Sequence, residues 1–331
     1  MRTSYLSEDE RAYRRTTNRL GAALLLAVGL HLGLAELLMP PVSVLLPLQG
    51  TAWAALVPEL LDMLVRVLSF LLPALFYRLI TPASERFPLL LEPKLPRKTA
   101  LIVPSCLAII YCAAITNGFL VRLLGLSAST SSYLPDAGMA PTSAVLSFIA
   151  TAVVPAFCEE FLFRGLVTCQ LLPYGKTTAV LGSALLFGLI HQNPSQFFYA
   201  TVAGVVLALA VIESGSVWVG VIIHLINNLI SVMGEVFYNR LPYGSEMVLS
   251  RLIEVLVVGG GLICLIVLLH GRSEKKDPRT EALPCGAEPQ RSAVRGFCTP
   301  MMLAFCLLCV AQMLILAGGV WLARMDWGML L

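Results

Sequence analysis

Long apolar stretches dominate this sequence and restrict the folds that the chain can adopt. Nine of them approach the roughly 20 residues that an α-helix needs to cross the hydrocarbon core of a bilayer. They cover residues 20–39, 57–80, 99–122, 147–170, 177–192, 197–213, 217–237, 251–270 and 300–323. A backbone in lipid must satisfy its own hydrogen bonds, so each stretch is predicted to be a helix. The sequence therefore predicts an all-α, polytopic transmembrane helix bundle of about nine spans.

The number of spans stays open between eight and ten. Segments 177–192 and 197–213 are short for a full crossing, and segment 43–56, which contains Pro47 and Gly50, could be interfacial or re-entrant. The composition, 57% hydrophobic and only 13% charged residues, fits a multi-pass membrane protein at any of these counts. A mean hydropathy of +0.82 agrees with this class.

Basic residues are distributed unequally between the predicted loops, and this predicts the orientation. Most of the 23 Lys and Arg residues fall in the N-terminal tail and in every second loop after it. The opposite side holds only Arg122, Arg240, Arg251 and Arg324. Because basic residues concentrate in cytoplasmic loops, the N-terminus is predicted to be cytoplasmic. Topology accounts for these charges and the net charge is only +3, so no nucleic-acid partner is expected.

Three parts of the chain differ in character. Residues 1–142 are predicted to form an N-terminal cytoplasmic tail and three spans, with little chemistry. Residues 143–240 hold most of the intramembrane polar side chains. Residues 241–331 are predicted to form a span, a charged cytoplasmic linker at 271–299 and an appended last helix.

The first polar motif combines two adjacent acids with an arginine inside an apolar stretch. At 100° per residue Arg164 lies about 40° from Glu160 but about 140° from Glu159, so Glu160 and Arg164 are predicted to form an i,i+4 ion pair. Glu159 is then an unpaired intramembrane acid. Such a residue costs about 2.5–3.5 kcal/mol to insert, so a functional role is favoured over a purely structural one. A buried, unpaired carboxylate is suited to act as a general base.

Two further motifs place imidazoles and an amide on neighbouring spans. Phe187 and His191 share one helix face, as do His224 and Asn228, although Asn227 points only 60° to the other side of the His224 direction. Each pair alone is typical of core packing or of interhelical hydrogen bonding. Together with Glu159, these side chains form the set needed to activate water and stabilise an oxyanion.

Distance along the helices argues against this convergence. Counted from the predicted cytoplasmic ends of their helices, His191 lies about 21 Å deep and His224 only about 11 Å.

The three motifs, in this order on adjacent spans, resemble the CPBP family of intramembrane endopeptidases. This family includes the CAAX prenyl protease and the Abi-type bacteriocin-immunity proteins, and the similar region spans about 145–240. The resemblance implies that Glu159 is the catalytic glutamate and His191 its partner in activating water. It also implies that His224 and Asn228 stabilise the oxyanion or bind a metal. Glu160, Arg164 and Phe187 support the site.

The expected function is hydrolysis of a peptide bond in a membrane-associated protein or peptide, with or without a lipid anchor. Catalysis without a metal is the preferred hypothesis, and zinc held by Glu159, His191 and His224 is the alternative. Two other classes remain open. One is a non-catalytic bacteriocin-immunity or scaffold protein, and the other is an ion-coupled transporter that uses the same polar residues.

Overall fold

A computed structural model describes residues 7–45, 52–93, 95–126, 141–242, 244–271 and 296–328. Within these residues every regular element is helical, which confirms the predicted all-α class. We number the helices α1 (Glu8–Leu45), α2 (Ala52–Ile80), α3 (Thr99–Leu123), α4 (from Pro141 to Tyr174), α5 (Lys176–Ile190), α6 (Pro194–Ser214), α7 (Val217–Arg240), α8 (Ser245–His270) and α9 (Pro300–Gly328). Most of the predicted linker 271–299 and part of segment 43–56 lie outside the described residues.

Eight of these helices are long and apolar enough to cross a bilayer, which confirms a multi-pass membrane protein. The ninth, α5, has 15 residues and is about 22 Å long, somewhat less than the hydrocarbon thickness. It forms a hairpin with α6, in which Lys176 at the start of α5 pairs with Glu213 near the end of α6. The stretch predicted at 177–192 is therefore a helix, but a short one.

Segments that the sequence assigned to one side of the membrane meet at one end of the bundle. Thr16 near the start of α1 contacts the Tyr174 hydroxyl at the end of α4, at 3.0 Å. Arg19 of α1 binds Glu85 in the loop after α2, and this hydrogen bond lowers the pKa of the Glu85 carboxyl. Thr17 donates to the Gly296 carbonyl at 2.7 Å, which brings the residues before α9 to the same end.

Residues 86–93, which are not helical, lie at this end of the bundle and form hydrogen bonds with α7 and α4. The Leu90 carbonyl accepts from Val217 N at 2.9 Å, so a donor at the start of α7 that has no intrahelical partner is satisfied. The Leu91 carbonyl accepts from Trp218 Nε1 at 2.9 Å. On the other flank, Gln170 of α4 bonds both the N–H and the carbonyl of Phe87. The segment therefore ties α4 to α7 on one side of the polar motifs.

The main hydrophobic core lies between α1, α2, α4, α5, α6 and α9. It includes Leu24 of α1, Tyr77 of α2, Phe163 of α4, Leu186 of α5 and Phe305 of α9, each at most 1% exposed. Helix α4 is thus surrounded by other helices, whereas α8 packs chiefly along α3 at the periphery. The helix that carries the acidic pair therefore lies inside the bundle.

The last helix docks on the first through backbone contact at a glycine. A Cβ atom built on Gly21 would lie 2.3 Å from Met302 N of α9, closer than real side chains approach. Nearby, Met301 N donates to the Asn18 side chain at 3.1 Å. Small residues that allow such close approach are a general device of helix association in lipid. The appended helix α9 is therefore an integral part of the bundle.

We expect Gly21→Leu to lower the free energy of unfolding by about 1–3 kcal/mol, because the added side chain forces α9 away from α1. Gly29→Leu is the matched control, since no atom lies within 4 Å of a Cβ at Gly29 on the same helix. Thermal unfolding in detergent measures both. Equal effects of the two substitutions would contradict the backbone docking of α9.

Candidate active site

Helix α4 carries the acidic pair on a short α-helical piece between two π-helical ones. The α-helical part is Val154–Glu160, and the π-helical parts are Ile149–Val153 and Phe161–Thr168. Pro155 lies at the start of the middle piece and has no N–H to donate to the preceding turn, which favours local rearrangement of the hydrogen bonds. Wide turns of this type are frequent at functional sites. They set the direction in which Glu159 and Glu160 point from the helix.

Glu160 is the centre of a buried ionic network. Its side chain is fully buried, and its Oε1 atom accepts hydrogen bonds from Arg164 Nη1 at 2.8 Å and from His224 Nδ1 at 2.9 Å. Arg164 is 1% exposed; it also donates to the Gly204 carbonyl at 3.3 Å, and its guanidinium lies 4.2 Å above the centre of the Phe187 ring. The ion pair predicted from the spacing is present, and it extends to α5, α6 and α7.

Glu159 points to the opposite edge of the same imidazole. Its Oε2 atom lies 4.0 Å from His224 Nε2, and the residue is 8% exposed. Within the described residues no protein group donates a hydrogen bond to this Oε2 atom. Because Glu160 accepts only, His224 Nδ1 carries the hydrogen and Nε2 is the atom that faces Glu159. The structure thus gives the two adjacent acids different surroundings.

Phe187 lies between the two histidines and explains how they come together from unequal depths. Its ring meets the His191 ring at 5.0 Å and the His224 ring at 6.1 Å, both edge-to-face, and also packs against Phe163 at 5.0 Å. His191 follows the last residue of α5, one turn beyond Phe187. The Phe187 ring therefore connects His191 and His224, the two histidines that the sequence predicted at different depths.

His191 has no hydrogen bond or ion pair with Glu159, His224 or Asn228 among the described residues. Its Nδ1 atom donates to the Phe187 carbonyl at 2.7 Å, so in the neutral ring Nε2 is an acceptor. Asn228 on α7 donates from Nδ2 to the Thr151 carbonyl of α4 at 3.4 Å. Each of these side chains is therefore oriented by a backbone carbonyl.

Two further residues near these side chains belong to none of the three sequence motifs. A Cβ at Gly220 would lie 2.7 Å from Glu160 Oε2 and 2.9 Å from Val211, so only glycine lets α7 approach the buried carboxylate this closely. Gly220 lies four residues before His224, and this spacing is a signal that the sequence contained. The other residue is Tyr199 of α6, whose hydroxyl donates to Asn227 Oδ1 at 2.9 Å, and no spacing pattern points to it.

The described residues do not form a ready metal site. Both histidines direct Nδ1 to an acceptor and leave Nε2 available, an arrangement also found in zinc ligands. However, no group of three or more His, Cys, Asp and Glu side chains in the described part of the chain is arranged to hold a metal ion. Zinc held by Glu159, His191 and His224 therefore stays the alternative hypothesis to metal-free catalysis.

The fold and these contacts define a multi-pass membrane protein that encloses an acid and imidazole cluster within its helices. A family model described as type II CAAX prenyl endopeptidase, Rce1-like, matches residues 141–230 and so includes all three motifs. The match confirms the family resemblance for this part of the chain and supports a CAAX-type membrane protease acting on membrane-associated substrates. Comparisons with curated proteins and with solved structures found no match.

We expect Glu160→Gln and Arg164→Ala each to lower the free energy of unfolding by about 3–5 kcal/mol, because each leaves a buried charge without its partner. Glu213→Gln breaks the exposed pair with Lys176 and is the control, with an expected loss below about 1 kcal/mol. Unfolding in detergent compares the three variants. Similar losses for the buried and the exposed pair would show that the Glu160 network does not stabilise the bundle.

Proposed function

We propose that this protein is an intramembrane endopeptidase in which Glu159 activates the attacking water. The observation that carries this proposal is the contrast between two adjacent acids. Each acid has an Oε2 atom without a hydrogen bond from the described residues, but Glu160 is fully buried and its Oε1 atom is held by Arg164 and His224, whereas Glu159 faces an imidazole edge. The first arrangement suits a structural anion, and the second suits a base that binds a water molecule.

In the proposed reaction Glu159 takes a proton from water as the water oxygen adds to the scissile carbonyl carbon. The tetrahedral intermediate then expels the amine, to which Glu159 returns the proton, so that one water and one peptide yield an acid and an amine. His191 assists by accepting a hydrogen bond from the water at Nε2, because its Nδ1 hydrogen is held by the Phe187 carbonyl.

His224 and Asn228 are proposed to stabilise the oxyanion. Nδ1 of His224 already donates to Glu160, so donation from Nε2 to the oxyanion requires the imidazolium form. Asn228 Nδ2 has a second hydrogen besides the one directed to Thr151, and this second hydrogen is the amide contribution. The Glu160–Arg164 pair keeps the imidazole in place throughout.

The substrate class follows from the location of these groups and from the family match. A scissile bond must reach side chains enclosed by transmembrane helices, so a membrane-associated peptide segment in extended form is the proposed substrate. The matched family is described as acting on CAAX prenyl proteins. A peptide with a prenylated cysteine near its C-terminus is therefore the first substrate to test. The basic residues near the start of α1 support a cytoplasmic N-terminus and cleavage near that face.

We expect Glu159→Gln to lower peptidase turnover by about 10²–10⁴-fold, because the amide cannot accept the proton from water. Its thermal stability should equal or exceed that of the wild type, since an unpaired buried charge is removed. A quenched fluorescent peptide with a prenylated cysteine, and the same peptide without the prenyl group, provide the assay, with Glu213→Gln as the active control. Substantial turnover by Glu159→Gln would remove Glu159 as the base, and an inactive wild type would favour a non-catalytic role.

We also expect catalysis to need no metal, so activity should survive extensive chelation and purified protein should contain far less than one zinc per chain. Elemental analysis and activity before and after chelation measure this. Stoichiometric zinc that is lost together with activity, and restored with it by added Zn²⁺, would instead make His191 and His224 ligands.

A further inference from the structure

A line of side-chain hydrogen bonds links three helices and ends on the proposed oxyanion donor. The Tyr199 hydroxyl of α6 donates to Asn227 Oδ1 at 2.9 Å, and Asn227 Nδ2 donates to Asn228 Oδ1 at 3.2 Å. Asn228 Nδ2 then donates to the Thr151 carbonyl of α4 at 3.4 Å. The line runs from α6 through α7 to the first π-helical part of α4.

The direction of every bond in this line is set at its α4 end. Four residues after Thr151 stands Pro155, which has no N–H, so the Thr151 carbonyl cannot receive the usual α-helical bond from that position. A carbonyl only accepts, so Asn228 must present Nδ2 to it and turn Oδ1 toward Asn227. Asn227 must then present its own Nδ2, and its Oδ1 faces Tyr199, which must donate.

The direction of this line matters for the reaction because an amide has one donor end and one acceptor end. If the Asn228 amide turned over, its oxygen would face both the Thr151 carbonyl and a developing oxyanion, and both contacts would be repulsive. Asn227 and Tyr199 hold the Asn228 oxygen on the other side. Neither residue needs to touch the substrate to have this effect.

We propose that Tyr199 and Asn227 are positioning residues that keep the Asn228 amide with its donor end toward the reacting carbonyl. This inference rests on the proposed peptidase function and assigns to Asn227 a role that the motif spacing did not predict. It also gives Pro155 a purpose, since the proline withholds the α-helical N–H from the Thr151 carbonyl, which accepts from Asn228.

The test is a double-mutant cycle between Tyr199→Phe and Asn228→Ala, in the prenylated-peptide assay. Tyr199→Phe removes one hydroxyl, and we expect it to lower kcat about ten-fold with little change in KM, which corresponds to loss of one hydrogen bond. Asn228→Ala should lower kcat by about 10²–10³-fold. In the Asn228→Ala background the tyrosine substitution should have no further effect, because its target is gone.

Asn227→Asp is the second variant, and it places an oxygen where the line needs a donor. We expect its kcat to approach that of Asn228→Ala, with KM again little changed. Tyr174→Phe is the control, because that half-buried hydroxyl binds Thr16 at the far end of α4 and should leave kcat unaffected.

Each outcome of this experiment bears on the proposal. A tyrosine effect of the same size with and without Asn228, including one caused by general loss of the fold, would overturn the positioning role. So would an effect confined to KM, or an Asn227→Asp enzyme as active as the wild type. Glu159→Gln is measured in the same assay. If it stays active, the peptidase mechanism fails and the positioning role fails with it; if it is inactive, the cycle judges the positioning role alone.

Discussion

The rest of the site depends on one buried carboxylate oxygen. Glu160 Oε1 binds Arg164 of its own helix and His224 of α7, so an acid, a guanidinium and an imidazole share their charge inside the bundle. Removing any member would strand the others, because an unpaired charge in lipid costs several kcal/mol. The arrangement also explains Gly220, since any side chain there would meet the same carboxylate. The Glu160–His224 contact thus joins α4 to α7.

Once Glu160 is fixed, its neighbour is left in a different chemical position. Within the described residues Glu159 forms no ion pair with Arg164, and it faces the Nε2 edge of the imidazole that Glu160 holds. Two adjacent identical residues therefore receive different surroundings from geometry alone. Phe187 is the apolar side chain next to these groups, because its ring covers the guanidinium of Arg164 and lies against both histidines. An apolar wall next to a carboxylate strengthens the electrostatic interactions on which the proposed chemistry depends.

Backbone outside regular α-helix also holds neighbouring elements together. The π-helical turns of α4 flank the acidic pair, and the Thr151 carbonyl, four residues before Pro155, orients Asn228. At the end of the bundle, the Leu90 and Leu91 carbonyls of segment 86–93 accept hydrogen bonds from residues at the start of α7. In both places a backbone carbonyl accepts a hydrogen bond from another element. In an apolar medium, backbone polar groups cannot be hydrogen-bonded by solvent, so their bonds to other elements hold neighbouring helices together.

The sequence by itself determined the membrane class, most of the helices and the local ion pairs. Apolar length fixes a span, and i,i+4 spacing fixes the Glu160–Arg164 pair, because both are properties of a single helix. Only the tertiary structure decided that His224 binds Glu160, that Phe187 joins the two histidines and that Tyr199 leads through Asn227 to Asn228. These contacts join different helices, and their rotation, depth and tilt are set by packing at residues such as Gly220 and Gly204. A periodic pattern gives the face of a helix but not its partner, and that is why the motifs predicted the ion pair within α4 and not the bonds between helices.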